Sequence, residues 1–154
     1  MRVAFQLNGK PVETEVEPGM NVLEFLRSLG VFSVKHGCDH GECGSCTVLV
    51  DDKPQNACLM LMGTLDGERI ETLEGLNARR RMELMQAAFL DEGAIQCGYC
   101  TPAMLLALES LLRANPKPDE AAIREVFSGI YCRCTGYVKP MVAAKKVALG
   151  EVDG

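Results

Sequence analysis

The sequence predicts an α+β chain of two small units: a mixed sheet carrying one helix over residues 1–76, then four helices over residues 77–154. Three observations carry this. Apolar residues alternate at the start of the chain, they recur at helical spacing beyond Leu76, and the eight cysteines fall four to each side of that boundary. A length of 154 residues suits one domain or two small ones, each with a modest core.

The elements follow in order. Val3, Phe5 and Leu7 share one strand face, Asn8-Gly9 reads as a hairpin turn, and Val12, Thr14 and Val16 lie on the return strand. After Pro18-Gly19, the residues Val22, Leu23, Phe25, Leu26 and Leu29 take helical spacing. Asn21 stands as N-cap with Glu24 three positions on, and Gly30 closes the helix. Thr47-Val48-Leu49-Val50, a turn over Asp51-Asp52-Lys53-Pro54, the run Gln55 to Met60, and Arg69-Ile70-Glu71-Thr72 supply further strand candidates. In the second half, helices are expected around Met82 to Leu90, Pro102 to Ala114, Asp119 to Phe127 and Pro140 to Leu149. Gly75, Asn77 and the arginines after them interrupt the apolar pattern, which sets the boundary.

Charge is mixed along the chain, with a formal net value of −5, so there is no electrostatic footprint for nucleic acid. The single basic run, Arg79-Arg80-Arg81, reads as a solvated helix start. No stretch of eighteen apolar residues exists to cross a membrane, and the opening segment lacks the apolar core of a signal peptide. A cytoplasmic protein is expected. There the thiol pool stays reduced, so eight cysteines point to metal or redox chemistry before disulfides.

Cys38, Cys43, Cys46 and Cys58 have the plant-type ferredoxin spacing in their first three members, with a more distant fourth. Gly37, Gly41 and Gly44 interleave with them, as a loop that turns tightly and aims backbone N–H groups at sulfur requires. Zinc is the competing ligand, although structural zinc favours two separated cysteine pairs. The second set, Cys97, Cys100, Cys132 and Cys134, is a CxxC followed much later by a CxC. Alone, Cys97-Gly98-Tyr99-Cys100 could serve as a redox dithiol, but that needs a βαβ setting and leaves two cysteines unused. Two cysteines one residue apart close poorly into a disulfide and can present two thiolates to one metal site. Thr101-Pro102 reads as N-cap and N1 of a helix, which turns a helix N-terminus toward an anionic cluster. A flexible residue at Pro102 should loosen that site. His36 and His40 lie near the first set, and Rieske-type ligation by them remains a minor alternative. The methionines fall mostly on apolar helical faces, as core residues do.

The plant-type loop together with Gln96-Cys97-Gly98-Tyr99-Cys100-Thr101-Pro102 and Cys132-Arg133-Cys134-Thr135-Gly136-Tyr137 resembles the small iron-sulfur subunit of molybdenum hydroxylases, a family that includes xanthine dehydrogenases, aldehyde oxidoreductases and carbon monoxide dehydrogenases. The likeness spans roughly residues 2 to 148. It implies a β-grasp ferredoxin-like domain followed by an all-α four-helix bundle. It also implies two 2Fe-2S clusters, one on Cys38, Cys43, Cys46 and Cys58, the other on Cys97, Cys100, Cys132 and Cys134. Residues matching Gln96 and Cys134 contact the molybdopterin of a large partner subunit, and the first cluster lies toward FAD on a medium subunit. Electrons then run from molybdenum through the second cluster to the first and on to flavin. Two departures stand out. Ala103 replaces a glycine after Thr-Pro, and Gly129-Ile130-Tyr131 replaces Gly-Asn-aliphatic before Cys132, which removes an asparagine near the second cluster.

The chain has no Gly-x-Gly-x-x-Gly loop and is too short to hold flavin and molybdenum domains as well, so those cofactors are expected on partner chains. The rival readings are a free-standing two-cluster carrier and a zinc-stabilised interaction module.

Overall fold

The computed structural model describes residues 1–152. Five strands form one sheet in the order β2-β1-β5-β3-β4, with β1 Arg2–Leu7, β2 Lys10–Glu15, β3 Thr47–Val50, β4 Lys53–Asn56 and β5 Arg69–Glu71. Only β1 and β5 run parallel; the other pairs are antiparallel. The first hairpin turns at Asn8 and Gly9, whose φ values of 52° and 78° match the primed turn that follows strand twist. Helix α1, Val22–Ser28, starts where Asn21 accepts a hydrogen bond from the Glu24 N–H at 2.8 Å. Gly30 follows it in the left-handed region at φ 82°, as a helix terminator should. Its Val22, Leu23, Phe25 and Leu26 pack on Val3, Phe5, Val48 and Ile70 of the sheet, and the rings of Phe5 and Phe25 meet edge to face at 5.9 Å.

Two details of the sheet differ from the sequence expectation. The second hairpin turns on two residues, Asp51 and Asp52, both at positive φ, and β4 already begins at Lys53. Left-handed aspartates are disfavoured alone, but Asp52 is held by Arg69 and Arg113. Pro54 fits the ladder because β4 is the sheet edge. The run expected as strand through Met60 leaves the sheet at Asn56 and enters a 3-10 turn at Ala57–Leu59, which carries Cys58 toward the other cysteines.

A single-turn helix, α2 Leu73–Leu76, leads into α3 Arg80–Asp91, α4 Thr101–Ala114, α5 Glu120–Ser128 and α6 Val138–Leu149. Helix α6 starts two residues before Pro140, which therefore occupies the third helical position, where its missing N–H has no partner to lose. The helical core gathers Met82, Met85, Phe89, Met104, Leu108, Ile123 and Phe127; Phe89 and Phe127 meet edge to face at 6.4 Å. Truncating either ring should cost roughly 3–5 kcal/mol.

Helix α4 docks on β3 and β4, and Leu49 of the sheet joins the helical core. Beside it lies a charge network. Glu71 on β5 and Glu109 on α4 are 6 % and 3 % exposed. Arg113 bridges Glu71, Glu109 and Asp52, while Arg81 grips Glu109 with two hydrogen bonds of 2.7 and 2.5 Å. Arg79 holds Glu71 at 2.8 Å, and the Ser110 hydroxyl donates to the Asp52 carbonyl at 2.7 Å. Arg79 thus ties the start of α3 to the sheet and Arg81 ties α3 to α4, while both remain the exposed helix start expected of them.

Candidate metal centres

The first four cysteines occupy the loop between α1 and β3 and the 3-10 turn after β4. They meet as facing pairs, Cys38 with Cys43 and Cys46 with Cys58. The backbone amides of Cys43 and His40 point at Cys38 Sγ from 3.4 and 3.5 Å, and those donors hold its thiol down at about 6. The Ser45 hydroxyl lies 3.1 Å from Cys43 Sγ. Cys46 is the buried member; burial first, and the facing Cys58 after it, push its thiol up to about 12. A metal must displace that proton on binding. The loop has room for sulfur only because certain side chains are missing: a Cβ on Gly37 would stand 2.6 Å from Cys43 Sγ. Gly44, at φ 65°, brings its backbone against the Gly129 carbonyl of the helical half.

The second four cysteines line two loops that end at helix starts. Cys97 and Cys100 lie between α3 and α4, Cys132 and Cys134 between α5 and α6. Helix α4 begins one residue earlier than the sequence reading has it: Cys100 is the N-cap, Thr101 opens the helix and Pro102 follows. Cys100 faces Cys132, and burial followed by that neighbour drives it up to about 12. Burial also raises Cys132, but the Thr135 hydroxyl, 3.0 Å from its sulfur, leads the hydrogen bonds that bring it net downward. Cys97 and Cys134 stand at the exposed ends of their loops, beside exposed Gln96 and Tyr99.

Tyr137, the last residue of the Cys-Arg-Cys-Thr-Gly-Tyr segment, was not singled out by sequence reasoning, yet it shapes this loop. At φ 67°, it turns back so that its hydroxyl donates to the Ile130 carbonyl at 2.9 Å and accepts from the Cys132 N–H at 2.9 Å. A tyrosine closing a cysteine-rich turn was the available signal. Ile130, where an asparagine was expected, is buried in the helical core and leaves no polar side chain unsatisfied there.

The two loops touch. The Tyr131 N–H donates to the Cys43 carbonyl at 2.9 Å, so a ligand candidate of one set is joined by a backbone hydrogen bond to the neighbour of Cys132 in the other. The Tyr99 hydroxyl reaches the His36 carbonyl at 2.6 Å. His36 is engaged with Asp39 at 2.6 Å, and His40 is exposed.

This donor set fits the group the sequence implies. All eight cysteines are free thiols, arranged as two sets of four with amides and hydroxyls aimed at sulfur. Facing pairs suit a two-iron cluster, in which each iron takes two protein sulfurs.

Residues 5–72 match a 2Fe-2S iron-sulfur cluster binding domain, and residues 72–145 match a second family described as a 2Fe-2S binding domain. The chain is 44 % identical over 144 residues to the nicotinate dehydrogenase small FeS subunit of Eubacterium barkeri, covering 93 % of this chain and 92 % of that one. It is 42 % identical over 134 residues to the xanthine dehydrogenase iron-sulfur-binding subunit of Escherichia coli O157:H7, covering 85 % and 84 %. In the crystal structure of quinoline 2-oxidoreductase from Pseudomonas putida 86, a chain of 42 % identity superposes with a TM-score of 0.90 over 98 % of this chain and 94 % of that one.

Proposed function

The chain belongs to the small iron-sulfur subunits of the molybdenum hydroxylases, and on that premise we propose which of its residues carry the electrons and what each end faces. It is an electron-transfer subunit of a heteromeric, molybdenum-dependent oxidoreductase and binds two 2Fe-2S clusters. Bound clusters of this type exchange one electron each, so a two-electron substrate oxidation leaves in single steps.

Cys38, Cys43, Cys46 and Cys58 hold the first cluster; Cys97, Cys100, Cys132 and Cys134 hold the second. Gln96 and Cys134 contact the molybdopterin of a large subunit, and their exposure supports that reading, because a pterin has to reach them from outside. The loop of Cys38 to Cys46 faces an FAD-bearing medium subunit. We place a sheet unit over 1–76 and a helical unit over 77–154; the two hydrophobic cores support two units, although Leu49, Leu73 and Leu76 of the first pack into the core of the second. Residues Asp153 and Gly154 at its end lie outside the described residues. Among the described residues no helix is long and apolar enough to cross a membrane, and the eight free thiols support a reducing, cytoplasmic setting.

The observation that carries the relay is the Tyr131–Cys43 bridge, which makes the two cysteine sets neighbours in space. The residues around it keep the sulfurs in place: Ser45 and Thr135 by hydroxyl, Cys43 and His40 by amide, Tyr137 by its grip on the Cys132 backbone. The test is low-temperature EPR of the anaerobically reduced native complex. Two distinct rhombic signals are expected, one lost on Cys97→Ser and the other on Cys46→Ser. A single signal, or loss of both from either change, overturns the assignment. Recovery of the native chain as a two-cluster monomer without large subunits would instead favour a free carrier.

A further inference from the structure

Tyr99 lies between two thiols of the second set, and nothing in a cluster-binding CxxC requires a hydroxyl there. The residue is 45 % exposed. An exposed tyrosine gains little from a fixed rotamer, since ordering costs side-chain entropy. This one is nevertheless tied at three points. Its N–H points at Cys97 Sγ from 3.5 Å, its hydroxyl donates to the His36 carbonyl at 2.6 Å, and the Lys35 ammonium stands over its ring at 5.9 Å. The segment it grips is anchored on its other side as well, where the Lys35 N–H donates to the Ser45 carbonyl at 3.2 Å. Two residues beyond His36 is Cys38. The side chain of Tyr99 therefore spans from one thiol loop to the backbone of the other, separately from the Tyr131–Cys43 bridge.

We propose that Tyr99 is a positioning residue of the relay: its hydroxyl, seated on the His36 carbonyl, holds the Lys35–Asp39 segment against the Cys97–Cys100 loop and so fixes the separation and orientation of the two metal centres. The inference rests on reading both cysteine sets as clusters. The Tyr131–Cys43 bond and the adjacent Gly44–Gly129 contact join the loops on one side only, and a hold on the Cys38 side is needed to stop a pivot about them. Without the hydroxyl the first loop, together with the cluster its cysteines hold, can tilt about the attachment at Cys43.

The experiment is Tyr99→Phe in the native holo-complex, which removes one oxygen and keeps the ring. Amide hydrogen exchange at Lys35 and His40, whose N–H groups donate to the Ser45 carbonyl and to Cys38 Sγ at the two ends of this segment, should rise roughly fivefold, the equivalent of about 1 kcal/mol for one hydrogen bond. In EPR of the fully reduced complex, each centre should keep its own g-values while the magnetic splitting between them broadens. A merely structural role would leave that splitting sharp. Unchanged exchange and splitting overturn the proposal, as does loss of iron from the Cys97 set, which would make the hydroxyl an assembly determinant instead. Failure of the unmodified complex to show two signals overturns the cluster assignment itself, which keeps the two outcomes separate.

Discussion

Replacing Arg113 with methionine should weaken the joint between sheet and helices more than any surface substitution. Among the described residues only Arg113 touches Glu71, Glu109 and Asp52 together, and its side chain is 17 % exposed. Stripping a partner from a buried carboxylate costs about 3–5 kcal/mol when the charge is left alone. Here Glu71 keeps Arg79 and Glu109 keeps the double grip of Arg81, so the lower end applies, about 3 kcal/mol. With a urea slope of about 2 kcal/mol/M, the midpoint should fall by about 1.5 M, read from helical circular dichroism under anaerobic conditions. The sign with pH follows from Glu109. Burial alone would raise its carboxyl above 4.5, but hydrogen bonds from Arg81 and Arg113 bring it lower. Its contribution is therefore present above pH 4.5 and lost as pH falls through the depressed value. Arg113→Met should move the acid-unfolding midpoint upward. A urea shift under about 0.4 M, or one that disappears in 1 M salt, would mean the network behaves as exposed pairs worth under about 1 kcal/mol, and would refute the reasoning.

Two smaller predictions concern the thiols and their supports. After iron is removed by a chelator, Cys38 should be alkylated at pH 7 at least about tenfold faster than Cys46, because backbone amides hold Cys38 near 6 while burial holds Cys46 near 12; peptide mass spectrometry decides, and equal rates sink it. Tyr137→Phe removes the hydroxyl that bonds both the Ile130 carbonyl and the Cys132 N–H, for a loss of about 1–2 kcal/mol. The EPR signal assigned to the Cys97 set should bleach at lower temperature while the other signal holds; parallel bleaching of both counts against a local role.

What could be seen in the sequence was local. Asn8-Gly9 announces its turn because few other pairs accept two positive φ angles, and Asn21 announces a helix because its side chain caps within three residues. The cysteine sets were legible for the same reason: most of the ligands sit in short loops with their own glycines. The pieces that were not legible depended on distant partners. Arg79 and Arg81 form the exposed helix start their sequence suggests, but nothing local announces that Glu71 and Glu109 lie within reach of them. The two-residue aspartate turn looks strained until Arg113, 61 positions away, meets Asp52.

That difference bears on what makes this chain a relay. The Cys38 to Cys46 loop alone describes a site that many electron carriers own, and nothing in its spacing says where the other four thiols stand. The link is made by groups with no metal-binding signature: the peptide N–H of Tyr131, the hydroxyl of Tyr99, the missing side chain of Gly44 against Gly129, and Arg113, which docks α4 on the sheet. A chain with the same eight cysteines but no such contacts could load the same clusters and still lack a fixed path between them. The ligands determine that electrons can be held; the contacts between the loops determine that they can be passed on.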